Sequence, residues 1–142
     1  MQHNNQNTNA FLIHISAFAG YLFPLGSIIT PLILWQTLKE RGPFLDEHGK
    51  EAVNFNISFG LYIFILGASF IPFFFGNIFN GFNGINIDFG EHHGYGSLFN
   101  IFGFASLVSI VALIKVALII IAAMKANKGE MYHYPLTIKF IK

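Results

Sequence analysis

Three long apolar stretches, separated by polar segments, dominate the pattern of side chains along the 142 residues of the chain. The apolar stretches occupy residues 11–38, 51–75 and 98–124. A helix needs about 20 apolar residues to cross the ~30 Å hydrocarbon core of a bilayer, and each stretch exceeds that length. The pattern therefore predicts an all-α integral membrane protein with three transmembrane helices in a single membrane domain.

The first apolar stretch is interrupted by Pro24, Gly26 and Pro31. Each proline removes a backbone donor and clashes with the preceding turn, so a kink or a break is expected near these residues. Two arrangements fit: one kinked helix that spans the membrane, or two half-helices of which the second is shallow. We expect the single kinked helix over residues 11–38.

The four polar segments differ in their content of basic residues. They are the N-terminus (1–10), a first loop (39–50), a glycine-rich loop (76–97) and a tail (125–142). Lysine and arginine occur in the first loop and the tail, and neither occurs in the other two segments. Because cytoplasmic loops are enriched in basic residues, we predict a bacterial inner-membrane protein with its N-terminus outside and its C-terminus in the cytoplasm. Tyrosines, apolar residues and lysines in the tail indicate that it lies in the membrane interface.

The composition agrees with a membrane location and limits the possible partners. Hydrophobic residues make up 54% of the chain and charged residues 11%, against roughly 25% charged residues in soluble domains. A net charge of +1 without a basic run argues against a nucleic-acid partner. The absence of cysteine excludes disulfides and thiolate chemistry. The lipid bilayer is therefore the first expected partner.

Polar side chains recur at helical spacing along the second apolar stretch and its approach. They are Glu47, Glu51, Asn54, Ser58 and Tyr62. This spacing places all five on one face of a helix, and exposure of that face to lipid is unfavourable. The face is expected either to line a polar groove that opens to the cytoplasm or to hold the helices together by hydrogen bonds.

Lys115 is the one charged residue within the third apolar stretch. Its stem is long enough to bring the ammonium group back toward the cytoplasmic surface. We predict that Lys115 contacts Glu51, directly or through Asn54. The alternative is that it reaches the surface without a partner.

The remaining candidates for chemistry are weak. An isolated His14 near the start of an apolar stretch is more typical of a structural residue than of a ligand. His92 and His93, beside Asp88 and Glu91, match no defined metal site. Charge at a helix start explains the cluster around Asp46 and His48. No nucleophile with a base and no phosphate-binding loop is present, so we predict no enzymatic activity, no metal and no cofactor.

Pairs of small residues at helical spacing indicate faces where helices approach closely. They are Ser16 and Gly20, Gly60 and Gly67, and Ala105 and Ser109. Because three helices bury little among themselves, a homo-oligomer or a membrane-protein partner is expected.

Three groups of residues resemble a known bacterial family of small membrane proteins of unknown function. The first group is His14-x-Ser16-Ala17-Phe18-Ala19-Gly20-Tyr21 with Pro24-x-Gly26 and Pro31-Leu32. The second is Pro43-Phe44-x-Asp46-Glu47-His48-Gly49-Lys50-Glu51-Ala52-x-Asn54-Phe55, and the third is Ala126-Asn127-Lys128-Gly129-Glu130 with Tyr134-Pro135-Leu136-Thr137-Ile138. That family is described as similar to the twenty-kilodalton Tic component of chloroplast protein import (Tic-twenty-like).

The resemblance implies a role at a membrane and no catalytic step. We therefore predict a non-enzymatic inner-membrane structural or assembly subunit, with protein translocation or insertion as the role that the resemblance implies. The alternative is a small-solute or ion pathway lined by the polar face of the second helix.

Overall fold

The computed structural model of the protein describes residues 2–83 and 95–142, and these residues form helices without strands. The α-helices are α1 (Gln2–Ile15), α2 (Gly26–Leu38), α3 (Pro43–Asn83) and α4 (Tyr95–Asn127). Two short 3-10 helices, Ser16–Tyr21 and Lys39–Arg41, follow α1 and α2. A non-helical tail follows α4. The predicted all-α class is thereby confirmed.

The chain divides into two compact units. The first unit comprises Met1–Gly60 with Ile114–Lys142, and the second comprises Leu61–Leu113. The buried apolar cluster of the first unit draws on α1, α2, α3 and α4. It consists of Ala10, Ile13, Leu38, Leu45, Ala52 and Ala126, with Leu34 and Phe44 packed against it. In the second unit, Phe70 stacks on Phe104 with ring centroids 3.9 Å apart.

Two helices within the described ranges are long and apolar enough to cross a membrane. These candidate spans are Pro43–Pro72 in α3 and Phe102–Asn127 in α4. Of the most apolar 18 residues in each, only 22% and 17% are buried. Large side chains such as Phe64 and Phe102 are accordingly 73% and 70% exposed. Apolar surface of this extent is expected to contact lipid.

The first apolar stretch does not form the single kinked helix that we expected. The 3-10 helix after α1 ends at Tyr21, and α2 begins at Gly26 and packs against both the 3-10 helix and α1. Pro24 has no backbone donor, and Leu25 adopts a left-handed conformation with φ 62°. The stretch is therefore a hairpin of helices, and the structure identifies two candidate spans where the sequence predicts three transmembrane helices.

Glycines allow the two arms of this hairpin to approach closely. A Cβ atom on Gly26 would collide with the carbonyl group of Ala19, and one on Gly20 would lie 2.8 Å from the Cβ of Ser27. Both contacts would be closer than the roughly 3.5–4.0 Å at which carbon atoms pack. Of the small residues noted in the sequence, Gly20 thus forms a close contact within the chain.

The third helix begins at Pro43, whereas the sequence predicts a transmembrane helix only from residue 51. Proline suits the first position of a helix, because its missing N–H has no intrahelical partner there. The second half of the predicted first loop is consequently helical. At its other end α3 continues to Asn83, into the predicted glycine-rich loop. His92 and His93 lie outside the described residues.

The polar N-terminal residues belong to α1 and contact both of the basic segments. Gln6 donates a hydrogen bond from Nε2 to the carbonyl oxygen of Arg41 over 3.1 Å. Asn7 donates from Nδ2 to the carbonyl oxygen of Asn127, at the end of α4, over 3.3 Å. These contacts place α1 beside the first loop and beside the end of α4.

The indole of Trp35 joins α2 to the first turns of α3. Its Nε1 donates to Asp46 Oδ1 over 2.8 Å, and the same carboxylate pairs with Lys50 over 2.6 Å. A Cβ atom on Gly49 would overlap the Trp35 ring. Glycine at position 49 therefore allows α3 to pack directly on the indole.

We expect Gly49→Ala to lower the free energy of unfolding by about 1–3 kcal/mol, because the added methyl group overpacks the contact with Trp35. Gly67→Ala is the matched control, since the same helix has open space around Gly67. Alanine should there leave stability unchanged or raise it by up to about 1 kcal/mol. Unfolding in detergent micelles would measure both, and a Gly49→Ala protein as stable as the parent would contradict the proposed packing.

Candidate functional site

The polar face of α3 is covered by the C-terminal tail. Asn54 donates from Nδ2 to the carbonyl oxygen of Ile141 and accepts the Ile141 N–H at Oδ1, both over 2.9 Å. One helical turn further, Ser58 accepts the N–H of Ile138 at Oγ over 2.9 Å and donates to the Asn54 carbonyl over 2.7 Å. Asn54 and Ser58 thus bind the backbone of the tail.

Glu51 is the charged member of this contact. Its side chain is 9% exposed and accepts a hydrogen bond from the Tyr134 N–H over 3.3 Å. Its Oε1 lies 3.0 Å from His133 Nδ1 and 3.8 Å from Lys139 Nζ. A carboxylate this deeply buried is costly unless it is paired, and the tail supplies every one of these partners.

A regular helix C-cap turns the tail toward α3. Gly129 adopts the left-handed conformation with φ 78°. Its N–H bonds to the carbonyl of Ala126 over 3.0 Å, and the N–H of Glu130 bonds to the carbonyl of Lys125 over 3.0 Å. This pair of bonds is the Schellman motif, in which glycine is favoured at the left-handed position.

A buried chain of hydrogen bonds links the tail to α1 and α3. The hydroxyl of Tyr134 lies 2.9 Å from His14 Nδ1, and His14 Nε2 lies 2.8 Å from His48 Nδ1. Nε2 of His48 is buried without a hydrogen bond of regular geometry, and it approaches the backbone of Glu130. The ring of Phe55 stacks on Tyr134 with centroids 3.9 Å apart.

The hydrogen bonds of this network fit one arrangement of protons. If Tyr134 donates to Nδ1 of His14, then His14 donates from Nε2 to His48, and the remaining proton of His48 points toward the Glu130 backbone. Both hydrogen bonds between the side chains are then formed while both imidazoles are neutral. This assignment follows from the network of contacts.

Burial keeps the network uncharged. His14 belongs to α1, outside both candidate spans, and its burial, followed by the neighbouring His48 ring, lowers its pKa to about 3. Burial, with smaller contributions from Tyr132 and Glu51, raises the pKa of Tyr134 well above its usual value. A general base is most effective when its pKa is near the working pH, so His14 is unsuited to that role.

A small charged pocket remains between the start of α3 and the tail. Its volume is about 150 Å³. Its charged or titratable lining residues are Glu47, Lys50, Glu51, His133, Lys139 and Lys142. Asn54 and Ile141 complete the lining. Among the described residues, no group of three or more histidine, aspartate or glutamate side chains is placed to hold a metal ion.

The structure brings together some of the sequence-predicted residues and not others. Glu47, Glu51 and Asn54 line the pocket, and Ser58 contacts the tail. Lys115 is half-buried. Among the described residues, the ion pairs of Glu51 are with His133 and Lys139 and not, as the sequence predicts, with Lys115. The tail instead supplies the partners of Glu51. Tyr62 falls in the second unit.

The sequence pattern does not reveal the partners of these side chains. His14 is isolated along the chain, and no motif predicts a contact for His133 or for the backbone of Ile141. The sequence nevertheless contains a signal for such partners: polar side chains that become buried almost always form hydrogen bonds. A histidine in an apolar stretch and a tyrosine in the tail are two such groups.

The structure has two apolar helices that are candidate spans, and in its first unit the C-terminal tail binds the polar face of α3. These features are typical of a small helical membrane protein. Residues 5–141 match the magnetosome magnetite crystal formation protein family, MamF/MmsF, and the chain belongs to that family. No curated protein and no solved structure matches the chain. The family match supports a small bacterial membrane protein, as the sequence predicts, but it does not support the similarity to the Tic component.

We expect Ser58→Ala to release the tail, because the substitution leaves the Ile138 N–H without its acceptor. Loss of a buried hydrogen-bond partner costs about 1–3 kcal/mol, which corresponds to roughly a fivefold to 150-fold increase in tail opening. Trypsin cleavage after Lys139 would report this opening. Ser69→Ala is the control, since Ser69 likewise bonds to the carbonyl four residues earlier in α3. Equal cleavage rates in the two variants would contradict the docking role of Ser58.

Proposed function

We propose that the protein is a non-enzymatic membrane subunit that takes part in magnetosome magnetite crystal formation. The observation that carries this proposal is the family match, which extends over residues 5–141. It includes most of α1, the two candidate spans and almost the entire tail. The description of the family names magnetite crystal formation.

The geometry supports a structural role within that process. The polar side chains Glu51, Asn54 and Ser58 bind the tail of the same chain. His14 and Tyr134 form a neutral, buried hydrogen-bond network. Groups used in this way hold the first unit together, and the apolar helices attach it to a membrane.

We further propose that both termini lie on the cytoplasmic side, with α3 and α4 as the two spans. Basic residues near the start of α3 and in the tail favour the cytoplasmic face. The hydrogen bonds from Gln6 to Arg41 and from Asn7 to Asn127 support the same side for the N-terminus. An even number of spans follows from this arrangement.

Single cysteines would test the topology, because the parent chain contains none. Asn5→Cys and Lys128→Cys both alter exposed residues. In a bacterial inner membrane, a membrane-impermeant maleimide should label both variants in inverted vesicles and neither in intact spheroplasts. Labelling of Asn5→Cys alone in spheroplasts would contradict the proposed topology and would restore an odd number of spans.

The role in crystal formation is testable in a magnetite-forming bacterium that lacks its own member of the family. We expect the parent protein to restore the crystal size distribution measured by electron microscopy. Tyr134→Phe should restore it less well, because this change removes the hydroxyl bonded to His14. Tyr132→Phe is the matched control, since the Tyr132 ring contacts Tyr134 by its edge. A parent protein that inserts normally and leaves the crystals unchanged would contradict the proposed function.

A further inference from the structure

The pocket beside the tail contains charged groups that its internal contacts do not use. Glu51 is occupied by the tail, and Lys50 pairs with Asp46. Lys142 and Glu47 line the same pocket and form no ion pair with any described residue. The pocket therefore offers an unpaired ammonium group and an unpaired carboxylate to a ligand.

Two of the three lysines in the lining, Lys139 and Lys142, are available to an anion. The third, Lys50, is already paired with Asp46. Lys139 lies 3.8 Å from Glu51, a distance that leaves its ammonium free to donate to a second acceptor. A ligand with one negative charge would pair with Lys139 and Lys142, and its hydroxyl groups would donate to Glu47.

The size of the pocket restricts the ligand to a small group. Its volume of about 150 Å³ is half the lower limit of roughly 300 Å³ for pockets that hold drug-sized ligands. The pocket can enclose only part of a nucleotide or of an organic cofactor. A single phosphate group with a short polar substituent is of the right size.

Two apolar residues of the tail that are close to Lys139 in the sequence have exposed side chains. Leu136 is 76% exposed, and Phe140, which directly follows Lys139, is 49% exposed. A freely soluble phosphate would make no use of this surface. A lipid would, because its acyl chains could cover Leu136 and Phe140 while its phosphate enters the pocket.

The position of the pocket along the chain agrees with a lipid headgroup. Glu47 and Lys50 lie in the first turns of α3, near the start of the candidate span Pro43–Pro72. The polar headgroups of a bilayer lie at the ends of the segments that cross it. Basic residues at such positions attract anionic lipids.

We propose that this pocket is a binding site for an anionic phospholipid of the phosphatidylglycerol type. Its phosphodiester contacts the ammonium groups of Lys139 and Lys142. Its glycerol hydroxyls donate to Glu47, and its acyl chains contact Leu136 and Phe140. This site depends on a membrane location and is independent of any role in crystal formation.

The test uses the full chain, purified in a non-ionic detergent and titrated with dioleoylphosphatidylglycerol while thermal unfolding is followed. A phosphatidylcholine with the same acyl chains is the comparison lipid, because its headgroup has no net charge and no hydroxyl. We expect the protein to bind the glycerol lipid at least tenfold more tightly. Equal affinity for the two lipids would overturn the proposal.

Matched charge variants locate the binding. Lys139→Gln with Lys142→Gln should weaken binding of the glycerol lipid by roughly tenfold or more, since each lysine near a membrane surface contributes measurably to anionic lipid binding. Lys125→Gln with Lys128→Gln removes the same charge outside the pocket, and because neither lysine lines the pocket the affinity should change less than Lys139→Gln with Lys142→Gln changes it. Equal losses in both double variants would show non-specific attraction and overturn the site.

Two further measurements separate lipid binding from loss of the docked tail and from binding of a free phosphate ester. Lys142→Gln alone removes a side chain without an ion pair to any described residue, so the tail should stay docked while affinity falls by about fivefold. Unchanged affinity in that variant would overturn the site. Soluble glycerol 1-phosphate should bind at least tenfold more weakly than the lipid. If it binds equally well, the pocket is a site for a free phosphate ester and the lipid proposal is wrong.

Discussion

The docking of the tail on α3 is the interaction on which the first unit depends. Glu51, Asn54 and Ser58 are buried on one face of a helix that also forms a candidate span. Each would be costly in an apolar environment without a partner. The tail supplies backbone N–H groups to all three side chains, and a carbonyl group to Asn54. Backbone groups that the tail would otherwise expose are satisfied by the same contacts.

Two local structures position the residues of this contact. One is the turn at the end of α4, and the other is the hairpin between α1 and α2. Gly129 directs the chain back from α4, and the hairpin between α1 and α2 fixes α1 in the first unit. His14 then meets Tyr134, which stacks on Phe55. Residues from the three motif groups noted in the sequence therefore meet in one unit. Motif residues that are far apart along the chain thus take part in one set of contacts.

The apolar pattern was sufficient to predict the helical class and the apolar character of α3 and α4. It was not sufficient for the first stretch, because a kinked helix and a hairpin have the same composition. The hairpin depends on the left-handed Leu25 and on the contact of Gly26 with Ala19. The partner of the polar face was also missed, since Asn54 and Ser58 bind the tail through its backbone. Backbone groups leave no signal in side-chain patterns.

The docked tail also distinguishes the two roles that the polar face allowed. A solute pathway along Glu51, Asn54 and Ser58 would require the tail to leave, which breaks a hydrogen bond at each side chain. At about 1–3 kcal/mol for each buried group left unsatisfied, that opening is costly. A structural subunit can keep the tail bound to α3, so its role requires no release of the tail. The hydrogen bonds between α3 and the tail therefore support the proposed assembly role over a conducting one.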